Sequence, residues 1–177
     1  HSVKIDTRQE LVHSRMKKPK FSLLRHDQDM QKLVEMCDKV TLAHWAIACT
    51  NRVIHFYEAD YPDDARPHQA LQTLQAWIET GEFSMNVIRS AALASHAAAR
   101  EVGEDTPARS VARAAGQAVS TAHVAAHALG AANYALQAIH RAASPGESEN
   151  AIANERDWQY EMLQTLNRKS KQNPTTR

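Results

Sequence analysis

The stretch TAHVAAHALGAANYA, residues 121–135, is built mostly of alanine and places His123 and His127 four residues apart. Alanine has the highest helix propensity of the amino acids, and its small side chain lets neighbouring helices approach closely. Residues four apart lie on the same face of an α-helix. The stretch therefore predicts a closely packed helix with two imidazoles on one side, which bind a ligand, take part in catalysis or hold helices together.

The composition of the whole chain agrees with a helical protein. The 177 residues suffice for one domain with a sizeable core. Only 5 glycines and 3 phenylalanines occur, and runs of β-branched residues are scarce. Because alanine favours helices whereas β-branched and aromatic residues favour strands, this composition predicts an all-α fold with a single domain.

The charge balance argues against two classes of partner. The chain carries 21 Lys and Arg against 20 Asp and Glu, a formal net charge of +1, so it has no overall electrostatic attraction for nucleic acid or for a membrane. No apolar run is long enough to span a bilayer, and no signal peptide is visible, although the chain begins at His1 rather than at a methionine. We expect a cytoplasmic protein that binds neither nucleic acid nor a membrane, and an oligomer is compatible with the sequence.

The pattern along the chain divides it into two regions. Residues 1–25 are polar and basic, and Pro19 interrupts any helix within RMKKPKF at 15–21, which predicts a basic N-terminal arm. In residues 26–172, helical patterns alternate with capping residues, prolines and glycines, which predicts an all-helical domain. We expect about six or seven packed antiparallel helices, arranged somewhat like helical-hairpin repeats.

The predicted helix boundaries follow from caps and breaks. Asp27 or Asp29 begins the first helix, and Gly81 and Gly103 end later ones because glycine tolerates the left-handed conformation. An unbroken helix over 107–143 would be far longer than average, so we predict a break near residues 120–121.

The segment LAHWAIACTNRVIHFYEA, residues 42–59, predicts one long helix that begins after Thr41. Its apolar residues recur at helical spacing and indicate a buried face. The members of that face are Leu42, Trp45, Ala46, Cys49, Val53 and Phe56. We interpret Cys37 and Cys49 as buried thiols, and a disulfide between them is the less favoured alternative without secretory context.

The histidines of the opening stretch form a predicted seam. On one helix, His123, His127, Gly130 and Tyr134 fall at positions i, i+4, i+7 and i+11, with His96 as an expected neighbour. Gly130 lets another backbone or a ligand approach closely. We interpret the imidazoles as hydrogen-bonding groups between packed helices.

The alternative is a metal or small ligand bound at this seam. Two histidines four apart can chelate zinc, but Val124 stands where the zincin motif has glutamate, and no Glu-x-x-His pair exists. Further ligands would have to come from His44, His96 or His140. Since the chain also lacks a Gly-x-Ser-x-Gly elbow and a glycine-rich phosphate loop, we expect no metal, no cofactor and no catalytic residue.

Two other segments concentrate polar residues. YPDDARP, residues 61–67, sets Asp63 and Asp64 beside Arg66, and we expect the aspartates to cap the next helix while Arg66 pairs elsewhere. ERDWQYE, residues 155–161, holds Arg156 and Trp158; the tryptophan is expected to dock on the body, with the arginine reaching a carboxylate. The competing idea is a partner hot spot, since both residue types are enriched there. A catalytic alternative pairs His127, as general base, with a carboxylate of PDD.

Four segments in order resemble the immunity proteins of bacterial polymorphic-toxin systems, in the immunity-protein-five-like family. They are residues 42–82, AALASHAAARE at 91–101, ARAAGQAVSTAHVAAHALGAANYA at 112–135 and ERDWQYEML at 155–163, and the resemblance spans about residues 33–166. It implies an all-helical, cytoplasmic, non-enzymatic protein that binds and neutralises a cognate toxin. The alternative function is a helical bundle that binds a metal or small ligand through the histidine-lined seam. The candidate binding residues are His44, Asp63, Asp64, Arg66, His96, His123, His127, Tyr134, Arg156 and Trp158.

Overall fold

The structure, a computed structural model, describes residues 18–22 and 27–173. Within them the helices are α1 (Gln28–Glu35), α2 (Lys39–Asn51), α3 (His55–Asp60), α4 (Arg66–Thr80), α5 (Met85–Val102), α6 (Pro107–Ser120), α7 (His127–Ala142) and α8 (Ser148–Gln172). These residues contain no strand, which confirms the all-α prediction. No helix of the described ranges combines the length and the apolar character needed to cross a membrane.

The ends of several helices are set by the residues that the sequence indicates. Asp27 caps α1 by accepting a hydrogen bond from the Met30 amide, and Thr106 caps α6 ahead of Pro107. Gly81 ends α4 with a φ of 69°, a left-handed conformation that a side chain would strain. α6 ends at Ser120, at the predicted break.

The prediction of one long helix over residues 42–59 is wrong. α2 begins at Lys39, where the Asp38 carboxylate accepts from the Thr41 amide at 2.8 Å, and ends at Asn51. The Thr50 hydroxyl donates to the carbonyl of Ala46 at 2.8 Å, which competes with the helical ladder. The chain then turns and restarts as α3, so that the described residues hold eight helices rather than six or seven.

Helix α6 lies at the centre of the bundle. It packs against α2, α3, α4, α5 and α7, and α5–α6 and α6–α7 are hairpins with short connections. Its alanines are fully buried, as are those of α7 that face it. The backbones come so close that the Ser95 hydroxyl of α5 donates directly to the Ala112 carbonyl of α6 at 2.7 Å. Alanine therefore sets the spacing of the helices that carry the candidate site.

The larger apolar side chains fill the other side of α2. Trp45 is 0% exposed, and its indole Nε1 donates to the carbonyl of Gln159 on α8 at 2.8 Å. Of the predicted apolar face, only Phe56 remains partly exposed. Cys49 is buried and Cys37 half-buried, both are free thiols, and burial is the main cause that raises the pKa of Cys37 to about 11. The disulfide alternative is therefore wrong.

Part of the predicted N-terminal arm contacts the domain. The Lys18 ammonium donates to the carbonyls of Arg141 and Ala143 at the C-terminal end of α7, where a helix dipole favours a positive charge. The ring Nε2 of His140 lies 2.9 Å from the carbonyl oxygen of Pro19. The remainder of the predicted arm, 1–17 and 23–25, lies outside the described residues, and its role stays a prediction.

We expect Trp45→Ala to lower the free energy of unfolding by about 3–5 kcal/mol, because it empties a fully buried site between α2 and α8. Urea denaturation followed by circular dichroism measures the change. Phe83→Ala, at a side chain that is 49% exposed, serves as the control and should change stability by less than ~0.5 kcal/mol. A loss below ~1 kcal/mol for Trp45→Ala would contradict the packing described for α2.

Candidate functional site

One face of the bundle, formed by α5, α6 and α7, brings basic and histidine side chains together. On α5, Arg89, Leu93, His96 and Arg100 fall at i, i+4, i+7 and i+11 and therefore share one side of the helix. α6 is buried except for a stripe beside them, and α7 follows on the other side of that stripe. We call this surface the arginine–histidine face; it consists of Arg89, Leu93, His96, Arg100, Arg113, Gln117 and His127.

His96 lies flat against α6 because Gly116 has no side chain. A Cβ atom at Gly116 would come within 2.6 Å of the His96 ring carbon Cε1. The ring Nδ1 is buried and has no hydrogen-bond partner among the described residues. Burial lowers the pKa of His96, and the charges of Arg113 and Arg100 lower it further. The predominant form of His96 near neutral pH is therefore the uncharged imidazole.

Gln117 and Gly130 repeat this arrangement between α6 and α7. The amide Oε1 of Gln117 lies 2.8 Å from the Nδ1 of His127, and since an amide oxygen only accepts, Nδ1 carries the proton. A Cβ atom at Gly130 would lie 2.7 Å from the same oxygen. Burial, with a smaller contribution from His123, lowers the pKa of His127. This histidine holds two helices together, as the sequence analysis expects.

The predicted helical pair of His123 and His127 is wrong. His123 lies in the turn over residues 121–126, exposed to solvent, with its ring 6.5 Å from that of Phe83 between centroids. α6 ends before it, at Ser120, whose hydroxyl donates back to the Gly116 carbonyl at 2.9 Å, and the His123 amide bonds within the turn to the Ser120 carbonyl. Tyr134 is half-buried on α7, and because it is four residues after Gly130 it lies on the same side of that helix.

Three arginines of the face have no carboxylate partner in the part of the chain that the structure describes: Arg89, Arg100 and Arg113. The neighbouring Arg109 and Arg141 pair with Asp105, at 3.3 and 3.1 Å. These three arginines are not among the binding residues expected from the sequence. A signal was available, since no Asp or Glu stands three or four residues from them within their helices.

The PDD segment forms a structural network at the other end of the bundle. Asp64 accepts from the Tyr57 hydroxyl at 2.6 Å, from Arg66 Nη2 at 2.7 Å and from the Arg66 amide at 3.1 Å, whereas Asp63 is exposed in the turn. The Arg66 guanidinium, more than any other group, holds the pKa of the Asp64 carboxyl well below its usual range. Arg66 also pairs with Glu101, which fastens α4 to α5.

The catalytic alternative fails on this placement. Asp64 pairs with Arg66, and Arg66 also pairs with Glu101 at the C-terminal end of α5. Asp64 therefore lies near that end, which is close to the start of α6. His127 contacts Gln117, ten residues along α6, which is about 15 Å at the rise of an α-helix. A general base and its carboxylate must lie within hydrogen-bond reach of one substrate position, and these two do not.

The ERDWQYE segment also acts within the fold. Arg156 donates to the Asp27 carboxylate at 2.6 Å, to the Asn133 side chain at 3.1 Å and to Gln159 at 3.0 Å. Trp158 is half-buried on α8, and the guanidinium carbon of Arg52 lies 4.1 Å from the centroid of its ring. These contacts give Arg156 and Trp158 a structural role, and the carboxylate expected for Arg156 is that of Asp27.

The predicted seam does not assemble a metal site within the described residues. No three His, Cys, Asp or Glu side chains there are placed to hold one ion. His44 is exposed on α2, and His140 contacts Pro19 rather than the seam. A cleft of about 560 Å³ opens elsewhere, between residues 19–22, α7 and α8, and includes His140 and Arg156 in its lining.

Gly116→Ala should lower the free energy of unfolding by about 1–3 kcal/mol in the wild type, since the new methyl group displaces the His96 ring. In the His96→Ala background the same change should be neutral or stabilise by up to ~1 kcal/mol, because alanine is the better helix former. Urea denaturation of the four proteins gives the coupling. Gly146→Ala, which has nothing within 4 Å of its Cβ, is the uncoupled control. Additivity within ~0.5 kcal/mol at Gly116 would contradict the contact.

We expect stability to fall as the pH drops from about 7.5 to about 5.5. The lowered pKa values of His96 and His127 mean that the unfolded chain, with an ordinary value of 6.5, binds protons more readily than the folded one. The contribution of these two histidines to the free energy of unfolding is complete above pH 6.5 and is lost as the pH falls below that value. His96→Gln with His127→Gln should reduce the pH dependence of the urea midpoint, leaving the part due to His140, whose pKa burial also lowers. An unchanged dependence in that double variant, matching the exposed-site control His44→Gln, would contradict the assignment.

A known protein family matches most of this chain. No curated protein and no solved structure matches the chain significantly. A family described as "Imm-5 like putative immunity protein" matches residues 32–166, which include α2 to α7, most of α8 and the whole arginine–histidine face. The match confirms the resemblance found in the sequence, and because it covers well over half of the chain, the chain belongs to this immunity-protein family.

Proposed function

We propose that this chain is an immunity protein that binds a cognate toxin of a polymorphic-toxin system in the cytoplasm and neutralises it without enzymatic chemistry. Membership of the family supports the proposal. The observation that carries it is the arginine–histidine face, where Arg89, Arg100 and Arg113 form no ion pair with any carboxylate of residues 18–22 and 27–173. Unsatisfied arginines on a surface are groups that a protein partner can engage.

The scaffold beneath the face suits inhibition by binding. α6 is buried among five other helices, and His96 and Gln117 are held against glycines, so the face is supported by close packing. A surface that is ordered before binding loses less conformational entropy when the partner arrives. An inhibitor that must hold a toxin tightly benefits from that preorganisation.

The candidate binding residues fall into two groups according to their contacts within the fold. Asp64, Arg66, Arg156 and Trp158 are engaged in contacts that fasten helices together. His96, His123, His127 and Tyr134 lie on or beside the arginine–histidine face. We propose the second group, together with the three arginines, as the part of the chain that meets the toxin; Asp63 and His44 are exposed at other positions.

The alternative function, a metal or small ligand bound at the histidine seam, has weaker support. It needs His123 and His127 on one helical face, and His123 lies in a turn instead. Closed metal sites need three or four ligands, and no third ligand joins these two among the described residues.

The proposal predicts that co-expression of this chain restores growth to bacteria that produce the toxin encoded beside its gene. The two purified proteins should elute together in size-exclusion chromatography, and the toxin released from the complex should have an unchanged mass, since binding alone inhibits it. An unrelated toxin should be neither bound nor neutralised. Failure both to rescue growth and to form a complex with the adjacent toxin would overturn the proposal, and a chemically altered toxin would overturn its non-enzymatic part.

A further inference from the structure

We propose that the arginine–histidine face is the toxin-binding surface and that it receives an acidic patch of the toxin. This inference rests on the proposed function and on its binding residues, and it adds the chemistry of the toxin surface that binds there. Carboxylates of the toxin pair with Arg89, Arg100 and Arg113, and an apolar side chain of the toxin contacts Leu93 between them.

The charge on this face is concentrated and of one sign. The chain as a whole carries a net charge of only +1. The carboxylates closest to the face along the chain are engaged or remote from its centre: Glu101 pairs with Arg66, Asp105 pairs with Arg109 and Arg141, and Glu104 lies in the loop at the end. Since opposite potentials attract across an interface, this face selects an acidic partner surface.

The dimensions of the face fit a protein contact. Arg89 and Arg100 are eleven residues apart on α5, which places them about 16 Å apart along the helix axis. Leu93, 53% exposed, lies between them, and Arg113 extends the charge across to α6. An apolar residue with charged groups around it is the usual arrangement of a protein–protein interface, which has an apolar core and a polar rim.

Apolar side chains extend the face at the start of α5. Phe83 is 49% exposed and stacks near His123, and Met85 and Val124 are exposed beside them in sequence. The Lys39 ammonium reaches the carbonyls of residues 122 and 123, which brings the start of α2 to the same end. Exposed apolar residues at the margin of a basic surface favour a protein partner over nucleic acid, whose backbone offers only charge there.

The test reverses charge on the face of the full chain. Arg89→Glu with Arg100→Glu changes two exposed arginines, and binding to the toxin encoded beside the gene is measured by surface plasmon resonance. We expect the dissociation constant to rise ~10-fold or more, with a slower association rate. The wild-type association rate should itself fall as salt rises from ~0.05 to ~0.5 M, because salt screens exposed charges.

The matched control is Lys32→Glu with Lys169→Glu, which makes the same change in net charge at exposed positions on α1 and α8. It should bind like the wild type. Circular dichroism checks folding, and if the double glutamate variant unfolds, Arg89→Gln with Arg100→Gln takes its place, with a smaller expected loss in the same direction.

The outcomes separate the two proposals. A wild-type complex that neither the face variants nor salt weakens would overturn the acidic-patch inference and leave the immunity function standing. Equal weakening by the control would also overturn it, because the effect would then come from net charge alone. If the face variants abolish binding of a short DNA duplex and leave toxin binding unchanged, the face serves nucleic acid and the acidic-patch inference is overturned. No binding of the toxin by the wild type would overturn both proposals.

Discussion

The close approach of α5 and α7 to α6 is the contact on which the rest of the structure depends. Alanine removes little apolar surface from water by itself, so a helix made of it must gain its stability from density of packing rather than from large side chains. The direct bond from the Ser95 hydroxyl to the Ala112 carbonyl shows how near the backbones lie. The larger groups, among them Trp45 and Tyr57, then fill the space on the far side of the bundle.

That spacing also determines the character of the surface above α6. Because most buried side chains of α6 are alanine, the larger side chains that cover it come from the neighbouring helices or from the partly exposed stripe of α6 itself. His96 and Gln117 occupy the volume that Gly116 and Gly130 leave open, and they make the surface continuous with the core. A partner that presses on this face therefore meets groups whose positions are already determined by packing, which is the condition for a preorganised interface.

Local chemistry made most of the helix ends predictable, because a cap or a left-handed glycine acts within a few residues. The break after Ser120 was predicted from helix length, but the extent of the turn over residues 121–126, which takes His123 off the helix, and the interruption after Asn51 were not. At both places a Ser or Thr hydroxyl bonds to the carbonyl four residues earlier, but Thr73 and Thr165 make the same bond inside helices that continue. The local bond therefore does not predict a break. Burial of later residues, such as Tyr57, depends on the tertiary structure. Several ion pairs that fasten the helices join residues far apart in sequence: 129 positions separate Arg156 from Asp27. No periodicity in the chain records such a pairing.

A nearly neutral chain can carry a basic face because its acidic residues lie on other parts of the surface. Five carboxylates pair with five arginines and so leave the charge balance unchanged: Glu155 with Arg52, Asp64 and Glu101 with Arg66, Asp105 with Arg109 and Arg141, and Asp27 with Arg156. Each of these ion pairs holds a helix in place. Other exposed carboxylates lie on α1, α4 and α8, among them Glu35, Glu79 and Glu161. The arginines along α5 and in the middle of α6 have no carboxylate partner among the described residues. The whole-chain balance cannot reveal this, because it sums the charges that hold the fold with those that face outward. The electrostatic character of this face is therefore a consequence of how the acidic and basic residues are distributed among the helices.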